Sequence, residues 1–219
     1  MAELKNDRFY LATDIVVFTI FDDELKILLI KRKYDPFRGR FALPGGFVHL
    51  DENLEDAARR ELWEETGVKN IFLKRLHAFG DVGRDPRGRV ISIPYFSLIN
   101  GEKIKLHATT DAELAKWYPF GSLPDLAFDH RKILADAIGQ LRFELQYTNI
   151  AFEIMPKDFT LTELQRAYEI VLGKAMDKRN FRKKVAESGL VDESRGTKME
   201  GAHRPARLYH FRENSYRML

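Results

Sequence analysis

The chain has 219 residues, room for one large domain or two modest ones, with 44% hydrophobic residues, 32% charged residues and a net charge of +3. No apolar run approaches the roughly 18 residues needed to span a bilayer, the opening Met1-Ala-Glu-Leu-Lys-Asn-Asp lacks the apolar core of a signal peptide, and zero cysteines exclude disulfides and thiolate metal sites. A cytoplasmic protein with no membrane partner is expected. Its charge is unevenly shared: residues 1–149 carry 22 Lys and Arg against 23 Asp and Glu, a net −1, while 150–219 carry 14 against 10, a net +4.

Along the chain, 10–21 is rich in β-branched and aromatic residues, Asp22-Asp23-Glu24 is a turn and 25–31 is again apolar, which predicts an opening hairpin. Residues 41–48 bracket Pro44-Gly45-Gly46, where paired glycines allow close backbone approach, and lead into a predicted helix over 54–66 that Gly67 is placed to end. Strands are predicted over 71–79 and 90–99, with a polar loop between them, and a second helix over 129–144. Strands interrupted by helices imply a mixed sheet sandwiched by helices.

The first helix contains a conflict. At 100° per residue with Glu61 as zero, Leu54, Ala57 and Ala58 fall near about 20°, 320° and 60°, marking the inward stripe, yet Glu65 and Glu64 fall near about 40° and 300°. Carboxylates meeting only hydrocarbon would cost stability, so something positive must meet them. The i, i+3, i+4 spacing brings Glu61, Glu64 and Glu65 within reach of one ion, and hard oxygen ligands suit Mg²⁺ or Mn²⁺. An isolated ExxEE is ordinarily a solvated face, but the flanks are unusual: Arg60 precedes Glu64 by four residues, and Glu52 stands near the helix start.

The segment from Gly46 to Val68 resembles the Nudix box, GX5EX7REUXEEXGU with U apolar, at Gly46, Glu52, Arg60, Glu61, Leu62, Glu64, Glu65, Gly67 and Val68. The resemblance implies a Nudix α/β/α sandwich. It also implies that the carbonyl of Gly45 with Glu61, Glu64 and Glu65 binds divalent cations, that Glu52 and Arg60 brace the loop against the helix, and that a nucleoside diphosphate linked to another group is hydrolysed. The catalytic base in many members is a carboxylate from a loop outside the box, which points to Glu113 in Asp111-Ala-Glu113; in others it is the box glutamate Glu61.

Residues 80–92 include Arg84, Asp85, Arg87 and Arg89, suited to a pyrophosphate or its ribose if the loop lies beside the metal site, or else to a solvated Asp-Pro, Arg-Gly turn. The string Asp85-Pro-Arg87-Gly resembles the loop of Nudix ADP-ribose pyrophosphatases, and Phe128-Asp129-His130 fits that branch. That resemblance makes Arg84, Asp85 and Arg87 substrate contacts and ADP-ribose the ligand. His130 taken alone reads as a hydrogen bonder at a helix start.

The tail has a different pattern. Thr160-Leu-Thr-Glu163 is a capping box followed by Leu164, Ala167, Tyr168, Val171 and Leu172 at helical spacing. A second helix over 177–186 buries Phe181 and Val185 and leaves a basic face; a hairpin follows, with Arg195, Gly196, Lys198 and Gly201 at its tip and a returning strand over 207–211. This pattern describes a winged helix-turn-helix, in which Lys178, Arg179, Asn180, Arg182, Lys183, Arg195, Arg204 and Arg207 would contact duplex DNA; a protein-docking module is the alternative. The tail resembles the C-terminal domain of the Nudix-related transcriptional regulators, in which phrases such as Asp177-Lys-Arg-Asn-Phe-Arg182 and Arg204-Pro-Ala-Arg-Leu-Tyr-His-Phe211 recur, and which are usually homodimers. The expectation is therefore an α+β chain with a Nudix domain over 1–148 and a DNA-binding winged helix over 149–219. It combines metal-dependent hydrolysis with ligand-responsive regulation; the alternatives are a non-catalytic sensor, or a hydrolase with a docking module.

Overall fold

A computed structural model describes residues 8–101, 104–107, 112–199, 205–213 and 216. The described residues divide into two compact units. One holds the chain up to Phe18, Lys26–Ser97 and the residues on to Ile138; the other holds Thr19–Leu25, the stretch from Leu98 to Gly101 and the chain from Gly139 onward.

Strands β1 (Tyr10–Phe21) and β2 (Glu24–Arg32) form the expected hairpin and stand at the centre of a mixed sheet. From Ala12 to Thr19 every residue of β1 is buried, the mark of a strand covered on both faces rather than one. Ile15, Phe18, Ile27, Leu28 and Leu29 are fully enclosed, each worth about 1.5–3 kcal/mol in burial. Strand β3 (Phe41–Ala42) pairs antiparallel with β2, and β4 (Gly45–Phe47) pairs antiparallel with β1 in the register Asp14 to Gly45.

Helix α1 runs over Leu54–Thr66 and ends where the Gly67 N–H bonds the Trp63 carbonyl. It buries Ala57, Ala58, Leu62, Glu65 and Thr66. The buried arc is centred further toward Leu62 and Thr66 than the expected stripe, so Glu64 lies at its rim, with 35% of its side chain exposed.

The two strands predicted next are shorter than expected. The 90–99 run is broken at Ile93-Pro94 into β6 (Val90–Ser92), parallel to β1, and β7 (Tyr95–Leu98), because proline offers no N–H to a ladder. Opposite this broken partner, 71–79 pairs only in patches: β5 (Lys74–Arg75) on β7, the Leu76 N–H on the Pro94 carbonyl, and a bridge from Phe79 to Ser92. The resemblance implies a loop around Glu113, whereas Ala112–Pro119 is strand β8, paired antiparallel with β2 from Lys26–Pro119 to Arg32–Ala112. Helix α2 (His130–Tyr147) runs three residues beyond its predicted end.

In the second unit, α3 (Leu161–Leu172) opens with a complete capping box: the Glu163 N–H donates to Thr160 Oγ1 at 3.1 Å and the Thr160 N–H to Glu163 Oε2 at 2.7 Å. Helix α4 (Lys178–Ser188) is capped by Asp177, and its Phe181 meets Tyr168 of α3 edge to face at 5.3 Å. Strands β9 (Val191–Lys198) and β10 (Ala206–Phe211) form an antiparallel hairpin, completing the winged arrangement. Arg195, Gly196 and Lys198 belong to β9 rather than to the hairpin tip; Gly201 and Arg204 lie outside the described residues. Among the described residues no helix is long and apolar enough to cross a membrane.

Candidate functional site

A cavity of about 300 Å³ in the first unit is lined by Gly45 and Gly46 of β4, Glu61 and Glu65 of α1, the Arg84 to Arg87 loop, and Asp14, Arg32, Phe128 and His130. The glycines are there because the backbone and a carboxylate come too close for any side chain. A Cβ on Gly45, whose φ is +154°, would overlap the Thr13 carbonyl, and one on Gly46 would overlap the Glu61 carboxylate. The Gly45 N–H donates to Glu65 Oε2 at 2.8 Å.

Arg60 ties the box together. Its Nε and Nη2 donate to both oxygens of Glu52 at 2.9 and 2.6 Å, its Nη2 to the Phe47 carbonyl at 3.1 Å, and its Nη1 to Glu61 at 2.7 Å and Glu64 at 3.2 Å. The hydrogen bonds from Arg60, with one from the His49 N–H, hold the Glu52 carboxyl down at about 2. Burial pushes the Glu61 carboxyl up against the pull of Arg60.

Glu61 and Glu65 thus line the cavity beside Gly45, whereas Glu64 points along Arg60 and is absent from the walls. Among the described residues no group of three or more His, Asp or Glu side chains is spaced to hold an ion. The donor chemistry still fits a hard divalent cation: two carboxylates and a glycine backbone line one cradle, and Glu61, with 14% of its side chain exposed, is a largely desolvated carboxylate of the kind a cation stabilises.

The arginine loop divides its labour. Arg84 has 4% of its side chain exposed; its Nε and Nη2 donate to the two oxygens of Asp129 at 3.0 and 2.6 Å, and Nη2 lies 3.5 Å from Asp14. Arg87 donates through Nε and Nη2 to Asp85 at 3.0 and 2.7 Å, which leaves Asp85 the buried holder of Arg87. The Arg87 guanidinium lies over the rings of Phe47 at 4.7 Å and Phe128 at 5.4 Å. Arg89 bonds the Gly80 carbonyl within its own loop.

Sequence reasoning missed Asp14, the hub of this wall. Asp14 accepts from Ser92 Oγ at 2.5 Å, and its other oxygen lies 3.2 Å from His130 Nε2. His130 Nδ1 accepts the Leu43 N–H at 2.9 Å, so in the neutral ring the proton is on Nε2, facing Asp14. Burial acts to raise the Asp14 carboxyl, but His130, Ser92 and Arg84 together bring it down to about 2. An acid within the otherwise apolar β1 was the available signal, since a buried charge requires partners. Arg32 was missed as well: it lies 4.9 Å over Phe128, and burial and then the charge of Arg87 lower its pKa.

Glu113 is not brought into the site. It lies on exposed β8, 3.0 Å from Lys31 Nζ, and is absent from the cavity walls.

On α4, Lys178, Arg179, Asn180, Arg182, Lys183 and the unpredicted Lys184 are all exposed, and the ion pair there is the loose Lys183–Glu187 contact at 3.9 Å. Arg195 is exposed on β9, while Arg207 is bound to both oxygens of Glu193 at 3.0 and 2.9 Å.

Fold and site define a class: a ligand pocket built on a glycine and carboxylate cradle, followed in the chain by a winged helix. Residues 11–137 match the NUDIX domain and residues 151–211 the NrtR DNA-binding winged helix domain. The chain therefore belongs to the Nudix family, in the NrtR-type form that carries a winged helix domain. It is 39% identical over 210 residues to the ADPR responsive transcriptional repressor NtrR of Acinetobacter baylyi, covering 94% of this chain and 83% of that one. It is 46% identical over 134 residues to an ADP-ribose pyrophosphatase of Methanocaldococcus jannaschii, covering 61% and 78%. Shewanella oneidensis NrtR, in its crystal structure with a 27mer DNA, matches with a TM-score of 0.79 at 33% identity over 92% of this chain and 93% of that one.

Proposed function

We propose that this chain is an ADP-ribose-responsive transcriptional regulator that also hydrolyses its ligand. The Nudix domain, over 1–148, takes ADP-ribose or a similar nucleoside diphosphate sugar, and the winged helix, over 149–219, binds duplex DNA as a cytoplasmic homodimer. The observation that carries the reading is the cavity in which Glu61, Glu65 and the Gly45-Gly46 backbone face arginines, in one chain with the exposed cations of α4. A regulator by name and a pyrophosphatase by name among the relatives support the two halves.

Glu61, Glu65 and the Gly45 carbonyl would hold Mg²⁺ or Mn²⁺, with Glu64 joining once it turns from Arg60. A bound divalent cation supplies charge neutralisation at the diphosphate and makes water more acidic. Glu52 and Arg60 hold the box loop on α1, and Arg87 offers a guanidinium to phosphate. Glu61, which lines the cavity, suits the role of proton acceptor better than Glu113, which is exposed, paired with Lys31 and absent from the cavity walls.

A sensor without turnover is the second reading, favoured by the grip of Arg60 on Glu61 and Glu64. Incubating the full chain with ADP-ribose and Mg²⁺ separates the two: AMP and ribose 5-phosphate are expected, and intact ligand recovered under saturating metal leaves only the sensor.

A further inference from the structure

We propose that Arg32, rather than the buried Arg84, joins Arg87 in gripping the diphosphate of the ligand; this rests on the nucleoside diphosphate reading above. Arg32 ends β2 and lines the cavity. Its Nε donates to the Pro36 carbonyl at 2.8 Å and its Nη2 to the Tyr34 carbonyl at 3.5 Å. Those bonds use two of the five N–H donors of a guanidinium. Among the described residues no ion pair joins Arg32 to a carboxylate, so the remaining donors of this cavity-lining side chain are uncommitted.

Arg87 is arranged in a complementary way. Asp85 occupies its Nε and Nη2 and leaves the Nη1 edge open. Arg32 and Arg87 lie over the same Phe128 ring, at 4.9 and 5.4 Å. Two like charges beside one ring repel each other, and an anion that bridges them relieves that repulsion. Phe128 itself is held at a φ of 52°, a backbone state that is costly for a residue with a side chain and that persists where surrounding contacts require it.

Guanidinium forks match phosphate oxygens, so a diphosphate can engage one fork with each phosphoryl group. Arg84 is the poorer second fork: Asp129 holds its Nε and Nη2, Asp14 lies 3.5 Å from the same Nη2, and only 4% of its side chain is exposed, against 42% for Arg87.

The test is calorimetry on the full chain in EDTA, with ADP-ribose and AMP as probes. Arg32→Gln is expected to weaken ADP-ribose roughly 10- to 100-fold and AMP less than about threefold. Arg32→Lys, which keeps the charge and loses the fork, is expected to fall between wild type and Arg32→Gln. Unchanged ADP-ribose affinity in Arg32→Gln overturns the grip and leaves the ligand reading standing. Equal losses for ADP-ribose and AMP also overturn it, because they mean that Arg32 only supports the Tyr34–Pro36 backbone. A wild-type chain that does not bind ADP-ribose overturns the ligand reading and this inference with it.

Discussion

The cavity wall and helix α4 handle charge in opposite ways. Around the cavity, Asp14, Arg84, Asp129, Asp85 and Arg87 are paired side chain to side chain. On α4 the cations point outward from Phe181 and Val185 with little to hold them. A paired, buried network fixes shape and therefore selects a ligand, whereas an exposed row of cations contributes attraction that any polyanion shares and that salt removes.

The difference can be broken first with salt. Raising it from 50 to 200 mM should weaken the DNA complex about 10³-fold if two chains share at least six phosphate contacts, while ADP-ribose affinity changes far less; fluorescence anisotropy on labelled duplex reads the first and calorimetry the second. A flat salt response would remove α4 from the interface. Next in size is Glu65→Gln, which removes one charge from the cradle at Gly45 and should slow hydrolysis roughly 100-fold or more. Equal rates for the variant and the wild type, measured by AMP release, would show that the cradle is not where a metal acts.

Asp14→Asn sharpens the comparison on the cavity side. Taking the charge from a buried hub should cost about 3 kcal/mol in denaturant unfolding, because Arg84 and His130 are left facing a neutral amide. The folded-state pKa of Asp14 is depressed from 3.8 to about 2, so its contribution is complete above pH 3.8 and lost as pH falls through about 2. The stability gap between wild type and Asp14→Asn should therefore hold from pH 7 down to about 4 and close below that. A gap that closes well above pH 4 would mean that the Asp14 charge does not carry it. The smallest effect is expected at Arg207, already bound to Glu193: Arg207→Gln should weaken DNA less than roughly threefold, and a larger loss would mean that the pair opens on binding.

What could be read from the residues was local. Leu54–Thr66 and the Thr160–Glu163 box are set by caps and spacing within a few turns of chain, and both appear in the structure as read. Strand β8 escaped because Ala-Glu-Leu-Ala-Lys is helix-favouring, and only pairing with β2 makes it extended. The cavity wall escaped for the same reason at longer range: Asp14 meets Ser92 across 78 residues, and Leu43 meets His130 across 87. Arg84 was legible as an arginine near phosphate chemistry, but its commitment to Asp129, 45 residues on, was not.

In the proposed regulator the cavity and α4 are parts of one switch. The direct measurement is the affinity of the Glu65→Gln chain for DNA from its own promoter, titrated with and without saturating ADP-ribose so that no ligand is consumed. ADP-ribose is expected to shift operator affinity by roughly 5- to 150-fold, with DNA shifting ADP-ribose affinity by the same factor. A sequence-specific complex whose affinity is identical in the presence and absence of bound ADP-ribose would contradict it.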